Sequence, residues 1–232
     1  MIAISVLEKD IEGILGRTAA CKESADIMEI RVDPFPPGLS IPFDALIEAA
    51  SPTPVIITNR RREEGGSFNG DEVSRIARLK EALRHRPAYI DVELSTEPQL
   101  RDGLLSMAKE AGVKTIVSWH DFEATPARET ICSIFEQMAS LGADVAKIVT
   151  TARSHRDFLT LVPLFSLAQG HKTDVIAFCM GSAGIYSRVC APFMGSMLTF
   201  AAPDQAQATA PGQLAVSRLK EIMETLGFKK EG

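Results

Sequence analysis

The sequence predicts a parallel (β/α)8 barrel spanning residues 1–232 as one domain, on three observations. Short runs rich in β-branched residues begin near Ile2, Met28, Val55, Tyr89, Lys114, Asp144, Val175 and Met197, 22 to 34 residues apart. Amphipathic helical patterns fill the intervals. The first strand runs into VLEKDIEGILG, which lacks the GxGxxG phosphate fingerprint of a doubly wound open sheet. Strands alternating with helices through short joints pair in parallel with right-handed crossovers, and eight such units close a barrel.

Taken in order, each element has its own signal. In the second strand, MEIRVD, strict alternation sends Met28, Ile30 and Val32 toward the helices and Glu29 and Arg31 inward together. The third strand leads into RRREEGGSF, part of which reads as a solvated charge cluster and in which Gly65 and Gly66 allow a sharp backbone turn. Val73, Ile76, Leu79 and Leu83 then form one helical stripe. The fourth strand, YIDVEL, turns Asp91 and Glu93 inward, Asp91 into an ion pair, while Ile90, Val92 and Leu94 face the helices. The fifth ends at His120 in TIVSWHDF. Thr125 as N-cap and Pro126 in the first turn open a helix whose stripe is Ile131, Ile134, Phe135 and Met138, with Gly142 at its exit. The sixth strand, DVAKIVT, turns Lys147 inward, and the last two place Phe178, Met180 and Phe200 inward as an apolar wall. Val216, Leu219, Met223 and Leu226 make the final stripe, after Pro211 and Gly212.

Composition narrows the function. Hydrophobic residues at 45% with 24% charged residues suit a folded soluble protein with a large core. A net charge of −5 gives no general attraction to nucleic acid or an anionic membrane. The amino terminus, MIAISVLEKD, lacks the pattern of a secretory signal and no stretch reads as membrane-spanning, so a cytoplasmic location is expected. Cys21, Cys132, Cys179 and Cys190 form no CxxC pair and read as buried small apolar residues. His85, His120, His155 and His171 show no metal-binding spacing, so no metal site is expected.

A barrel core is filled by branched apolar side chains, so charges pointing inward need a partner or a task. Glu29, Arg31, Arg60, Glu64, His120, Lys147 and Arg188 come from several strands or the loops after them, and convergence from many strand ends is how an active site is built at the carboxyl face. Lys147 is the most informative of them. An amine is a nucleophile only when neutral, and a desolvated interior lined by arginines favours that form; its natural partner is a carbonyl. His120 has the chemistry to move a proton near neutral pH, and Glu64 could orient its imidazole. Arg188, in MGSAGIYSR, suits a carboxylate; MGSAG could alternatively cradle a phosphate at a helix start.

Six motifs in order, EIRVD, the arginine followed by EGG, VSWHDF, GADVAKI, MGSAGIYSR and APGQ, resemble those of type I 3-dehydroquinate dehydratases of the shikimate pathway over nearly the whole chain. The resemblance implies a lyase that converts 3-dehydroquinate into 3-dehydroshikimate and water through an imine on Lys147. It implies that His120 is the general acid and base, supported by Glu64, and that Glu29, Arg31 and Arg60 contact the ring hydroxyls. Arg60 takes this role among three consecutive arginines because it lies four residues before Glu64, as in the family. Arg188 and Gln213 would hold the carboxylate, Thr209 and Ala210 would sit in the covering loop, and Met180 and Phe200 would pack on the ring. Phe178 stands where the family often has Met, and Thr209 where Ser is common; the loop from Gln205 to Gln213 is slightly longer than usual. No metal or organic cofactor is implied, and the assembly implied is a homodimer. Another imine-forming barrel lyase, such as a class I aldolase, and a non-catalytic barrel kept as an interaction module are the competing readings.

Overall fold

In the computed structural model, which describes residues 1–228, strands and helices alternate from end to end. The order is β1 (Ile2–Val6), α1 (Ile11–Cys21), β2 (Ile27–Arg31), α2 (Phe43–Ala50), β3 (Val55–Thr58), α3 (Glu72–Leu83), β4 (Tyr89–Glu93) and α4 (Pro98–Ala111), followed by β5 (Lys114–His120), α5 (Arg128–Ser140), β6 (Val145–Thr151), α6 (Pro163–Gln169), β7 (Asp174–Met180), α7 (Ile185–Phe193), β8 (Thr199–Ala201) and α8 (Val216–Thr225). The strand order is β7-β6-β5-β4-β3-β2-β1-β8, the sequential arrangement of a (β/α)8 barrel. Among the described residues no helix is long and apolar enough to cross a membrane.

Contacts group the chain into two compact units, one of Ser5–Trp119 and one joining residues 1–4 to the chain from His120 onward. In the first, β2 through β5 pair in parallel, each with the next; the register sets Arg31 across from Thr58, Thr58 across from Asp91, and Glu93 across from Ser118. In the second, β6 pairs with β7 over their full length and the start of β1 pairs with β8. Strand residues of both alternation sets are buried, as a sheet sandwiched between interior and helices requires.

Local chemistry sets most helix ends. Asp10 and Asp71 cap α1 and α3 by accepting from the N–H groups of Gly13 and Ser74. Three local expectations fail. Thr125 does not cap α5, which begins at Arg128; its hydroxyl is drawn to Thr150 Oγ1 at 2.8 Å and the carbonyl of Thr151 at 3.1 Å. Val73 is 63% exposed, because the buried face of α3 is set by Arg75, Ile76, Leu79 and Ala82. Leu226 is exposed, since α8 has ended one residue earlier. Of the cysteines, Cys21 and Cys179 are buried, whereas Cys132 and Cys190 are only half-buried.

Candidate active site

In the unit of Ser5–Trp119, alternation along β2 and beyond places Glu29, Arg31 and Asp33 on one side, and all three are buried. Glu29 accepts hydrogen bonds from Ser5 Oγ at 2.6 Å and Thr58 Oγ1 at 3.1 Å. Arg31 meets Asp33 with two parallel bonds of 2.6 and 2.8 Å, the bidentate geometry that suits guanidinium and carboxylate. Burial alone would lower the Arg31 pKa, but Asp33 and Glu29 outweigh it and the net shift is upward. Asp33 also accepts from the backbone N–H groups of Ser67 and Arg60, so it ties the loop after β3 to the end of β2.

Of the three consecutive arginines, Arg60 is the buried one; Arg61 is half-buried and Arg62 exposed. Arg60 Nη1 donates to Glu93 Oε1 at 2.9 Å and Ser118 Oγ at 2.6 Å, and Nη2 donates to Asp91 Oδ2 at 2.7 Å. Ser118 Oγ donates in turn to Asp91 Oδ1. Burial opposes the charge on Arg60, yet Asp91 and Glu93 hold its pKa well above the usual value. These contacts use three of the five guanidinium donors. Glu64 closes a short 3-10 turn at Arg62–Glu64, is 7% exposed, and accepts from Ser95 Oγ at 2.5 Å. The following Gly65 has φ +79°, and a Cβ on Gly66 would lie 1.9 Å from the carbonyl oxygen of Arg60. That backbone approach is open only to glycine.

The other unit holds the remaining predicted residues. Lys147 on β6 is 4% exposed, with Nζ 4.4 Å from the ring centroid of Phe200 on β8. Phe200 packs on Phe178 of β7 at 6.0 Å between centroids, and the Arg188 guanidinium of α7 lies 4.5 Å from the Phe178 ring. Lysine, two rings and arginine thus form one run of contacts. Met180 is buried at the end of β7, in register with Thr151. His120, half-buried, ends β5, its ring centroid 6.4 Å from that of Phe122.

Among the described residues no carboxylate pairs with the buried Arg188 cation. Its Nη2 donates to the carbonyl of Pro211 at 3.1 Å, while Nε is buried with no hydrogen-bond partner. Burial lowers its pKa to about 10. The segment from Thr209 to Gln213 is folded around Gln213: its side-chain oxygen accepts from Thr209 N–H at 2.7 Å and Thr209 Oγ1 at 3.1 Å, and its backbone N–H donates to the carbonyl of Ala210. With its oxygen so occupied, the amide nitrogen of Gln213 is the end left to donate. A groove beside this segment is lined by Ser182, Ile185, Thr209, Ala210 and Gln213.

Three polar groups join these clusters without a sequence prediction of a role. Asp33 carried a signal, since it continues the inward set of EIRVD two residues past Arg31. Ser118 faces Arg60 only because the register of β4 and β5 brings it there. Arg75 had none: an arginine on a helix ordinarily reads as solvent-facing, yet it is 1% exposed.

The sequence model described as type I 3-dehydroquinase matches residues 2–230. The 3-dehydroquinate dehydratase of Methanosarcina barkeri is 39% identical over 226 residues, covering 95% of this chain and 92% of that protein. Among solved structures, 3-dehydroquinate dehydratase from Geobacillus kaustophilus superposes with a TM-score of 0.90 at 25% identity, over 99% of this chain and 92% of that one. A type I 3-dehydroquinate dehydratase from Clostridium difficile, with covalently modified comenic acid, gives a TM-score of 0.87 at 28% identity, over 97% and 91%.

Proposed function

Because this chain belongs to the type I 3-dehydroquinase family, and is therefore a lyase of the 3-dehydroquinate dehydratase kind in the shikimate pathway, we propose that it works through an imine on Lys147. The observation that carries the reading is the run of contacts from Lys147 Nζ through Phe200 and Phe178 to Arg188. It sets a buried amine and a buried guanidinium in need of an anion at two ends of one apolar wall. A small molecule with both a ketone and a carboxylate fits that pair.

In this mechanism neutral Lys147 attacks the C3 ketone of 3-dehydroquinate, and water leaves as the imine forms. The protonated imine withdraws electrons and acidifies the C2 hydrogen, while the face of Phe200 favours the positive charge at that nitrogen. His120 takes the C2 proton, giving an enamine, with Glu64 supporting the imidazole. The enamine expels the C1 hydroxyl as the imidazolium returns a proton to it, and hydrolysis frees 3-dehydroshikimate and the amine. Glu29, Arg31 and Arg60 hold ring hydroxyls, Met180 and Phe200 pack on the ring, and Arg188 with the amide nitrogen of Gln213 takes the carboxylate, under the segment of Thr209 and Ala210. These steps call on no metal or organic cofactor. The enzyme acts in the cytoplasm as a homodimer and as one catalytic domain over residues 1–232.

Two variants test the assignment. Lys147→Ala abolishes both dehydration and borohydride-trapped adduct with 3-dehydroquinate, read by mass spectrometry. His120→Ala still forms the adduct but turns over at least about 10²-fold more slowly. Near-normal activity in the lysine variant rules the mechanism out.

A further inference from the structure

We propose that Arg75 is a positioning residue: from α3 it grips both the counter-ion and the backbone of Arg60, and so fixes the guanidinium that meets the substrate hydroxyls. The inference rests on the assignment of Arg60 to those hydroxyls.

Glu93 is fully buried, and its two oxygens are divided between two arginines. Oε1 accepts from Arg60 Nη1 at 2.9 Å and from the backbone N–H of Arg61 at 3.1 Å, while Oε2 makes an ion pair with Arg75 Nη1 at 2.6 Å whose angle is not that of a hydrogen bond. Arg75 Nη1 also donates to the carbonyl of Asn59 at 2.7 Å, and Asn59 Nδ2 donates back to the carbonyl of Arg75 at 3.0 Å. Asn59 is the residue before Arg60, so one side chain restrains Arg60 at its charged tip and at its backbone. The clamp is itself held: Arg75 Nε and Nη2 bond Glu72 at 2.7 and 2.8 Å, and Nη2 bonds Thr96 Oγ1 at 2.8 Å.

The charged groups that bear on Glu93 are Arg60 and Arg61 after β3, Arg75 from α3, Asp91 on its own strand and Glu64 from the 3-10 turn, while β5 faces it with the neutral Ser118. Burial pushes the Glu93 carboxylate above the usual range; Arg60 and Arg75 pull it down, and Asp91 and Glu64 add to the rise. Removing Arg75 removes one of the two cations that keep it ionised. Glu93 then takes up a proton at higher pH and releases its hold on Arg60 Nη1. The fault appears in substrate binding rather than in chemistry at the lysine.

Steady-state kinetics with 3-dehydroquinate across pH 5–9 provide the test. Arg75→Met is expected to raise KM about tenfold or more with kcat within about threefold, and to move the acid limb of kcat/KM toward neutrality. Arg75→Lys, able to reach one carboxylate oxygen, restores part of the loss. A lower folded fraction alone reduces apparent kcat at unchanged KM, so the split separates positioning from mere stability. Glu93→Gln raises KM in the same way, and adding Arg75→Met to it gives little further rise, because both act through one path. If Arg75→Met does not fold, the double variant, which lacks the buried charge left uncompensated, carries the test by its KM. A folded Arg75→Met with native KM and native pH profile, or a native KM in the double variant, overturns the inference. Arg60→Lys is the control: if it leaves KM unchanged, the assignment of Arg60 itself falls, whereas a raised KM there with a native Arg75→Met sinks the positioning role alone.

Discussion

Among the described residues Arg188 meets a carbonyl and a ring face but no carboxylate, and its pKa falls from the ordinary arginine range to about 10. The folded chain therefore binds that proton less tightly than the unfolded chain. The resulting penalty is present in full below about pH 10 and is relieved as pH climbs above it toward the ordinary arginine range. Arg188→Met removes it, along with the bond to Pro211 and the contact with Phe178. The expected net gain is about 1 kcal/mol, a rise of roughly 2–4 °C in Tm at pH 7, with a loss of about 10- to 100-fold in affinity for 3-dehydroquinate. Calorimetry and KM read the two sides; a native KM removes Arg188 from the carboxylate site. The sequence made this residue visible through its motif, and Glu29, Arg31 and Lys147 through alternation. It could not show that Arg31 is bound bidentately by Asp33, nor that Arg75 is buried, because a helix surface carries no mark of which charged side chain the strands beside it will claim.

At the level of elements, the loop after β3 shows how a backbone contact serves a side chain. Gly66 lies against the carbonyl of Arg60, where a Cβ would come within 1.9 Å, and Gly66 N–H donates to the carbonyl of Arg61. Gly66→Ala is expected to cost about 1–3 kcal/mol in stability and to raise KM, since the displaced backbone carries Arg60. Urea unfolding together with KM checks this; a native KM separates the turn from binding. Strand positions were legible to within a residue or two because eight β-branched runs recur at intervals long enough for one helix each and alternate cleanly. Helix ends were less so. Thr125 has the chemistry of an N-cap, but two acceptors at the end of β6 compete for its hydroxyl, and α3 turns Val73 outward because the groups that bury its face begin two residues on.

Across the whole molecule, the boundaries between the two compact units fall inside β1, between Ile4 and Ser5, and inside β5, between Trp119 and His120. Independent domains part at exposed linkers, not midway along strands. Residues 1–232 are therefore expected to unfold in a single calorimetric transition, and the homodimer proposed above predicts that its midpoint rises with protein concentration. Two separated transitions would show that the units are autonomous.

The start of β1 pairs with β8: Ile2 is opposite Thr199, and the terminal amine of Met1 donates to the carbonyl of Met197 at 3.2 Å. During synthesis β1 leaves the ribosome nearly two hundred residues before β8 does. At about 5–20 residues per second the wait is roughly 10–40 s. Through that interval the first strand is an apolar edge without its final neighbour, exposed to the same mispairing that makes unpaired edges aggregate. The β8-facing edge of β1 is thus the one closed last, and its protection waits on the emergence of the last strand.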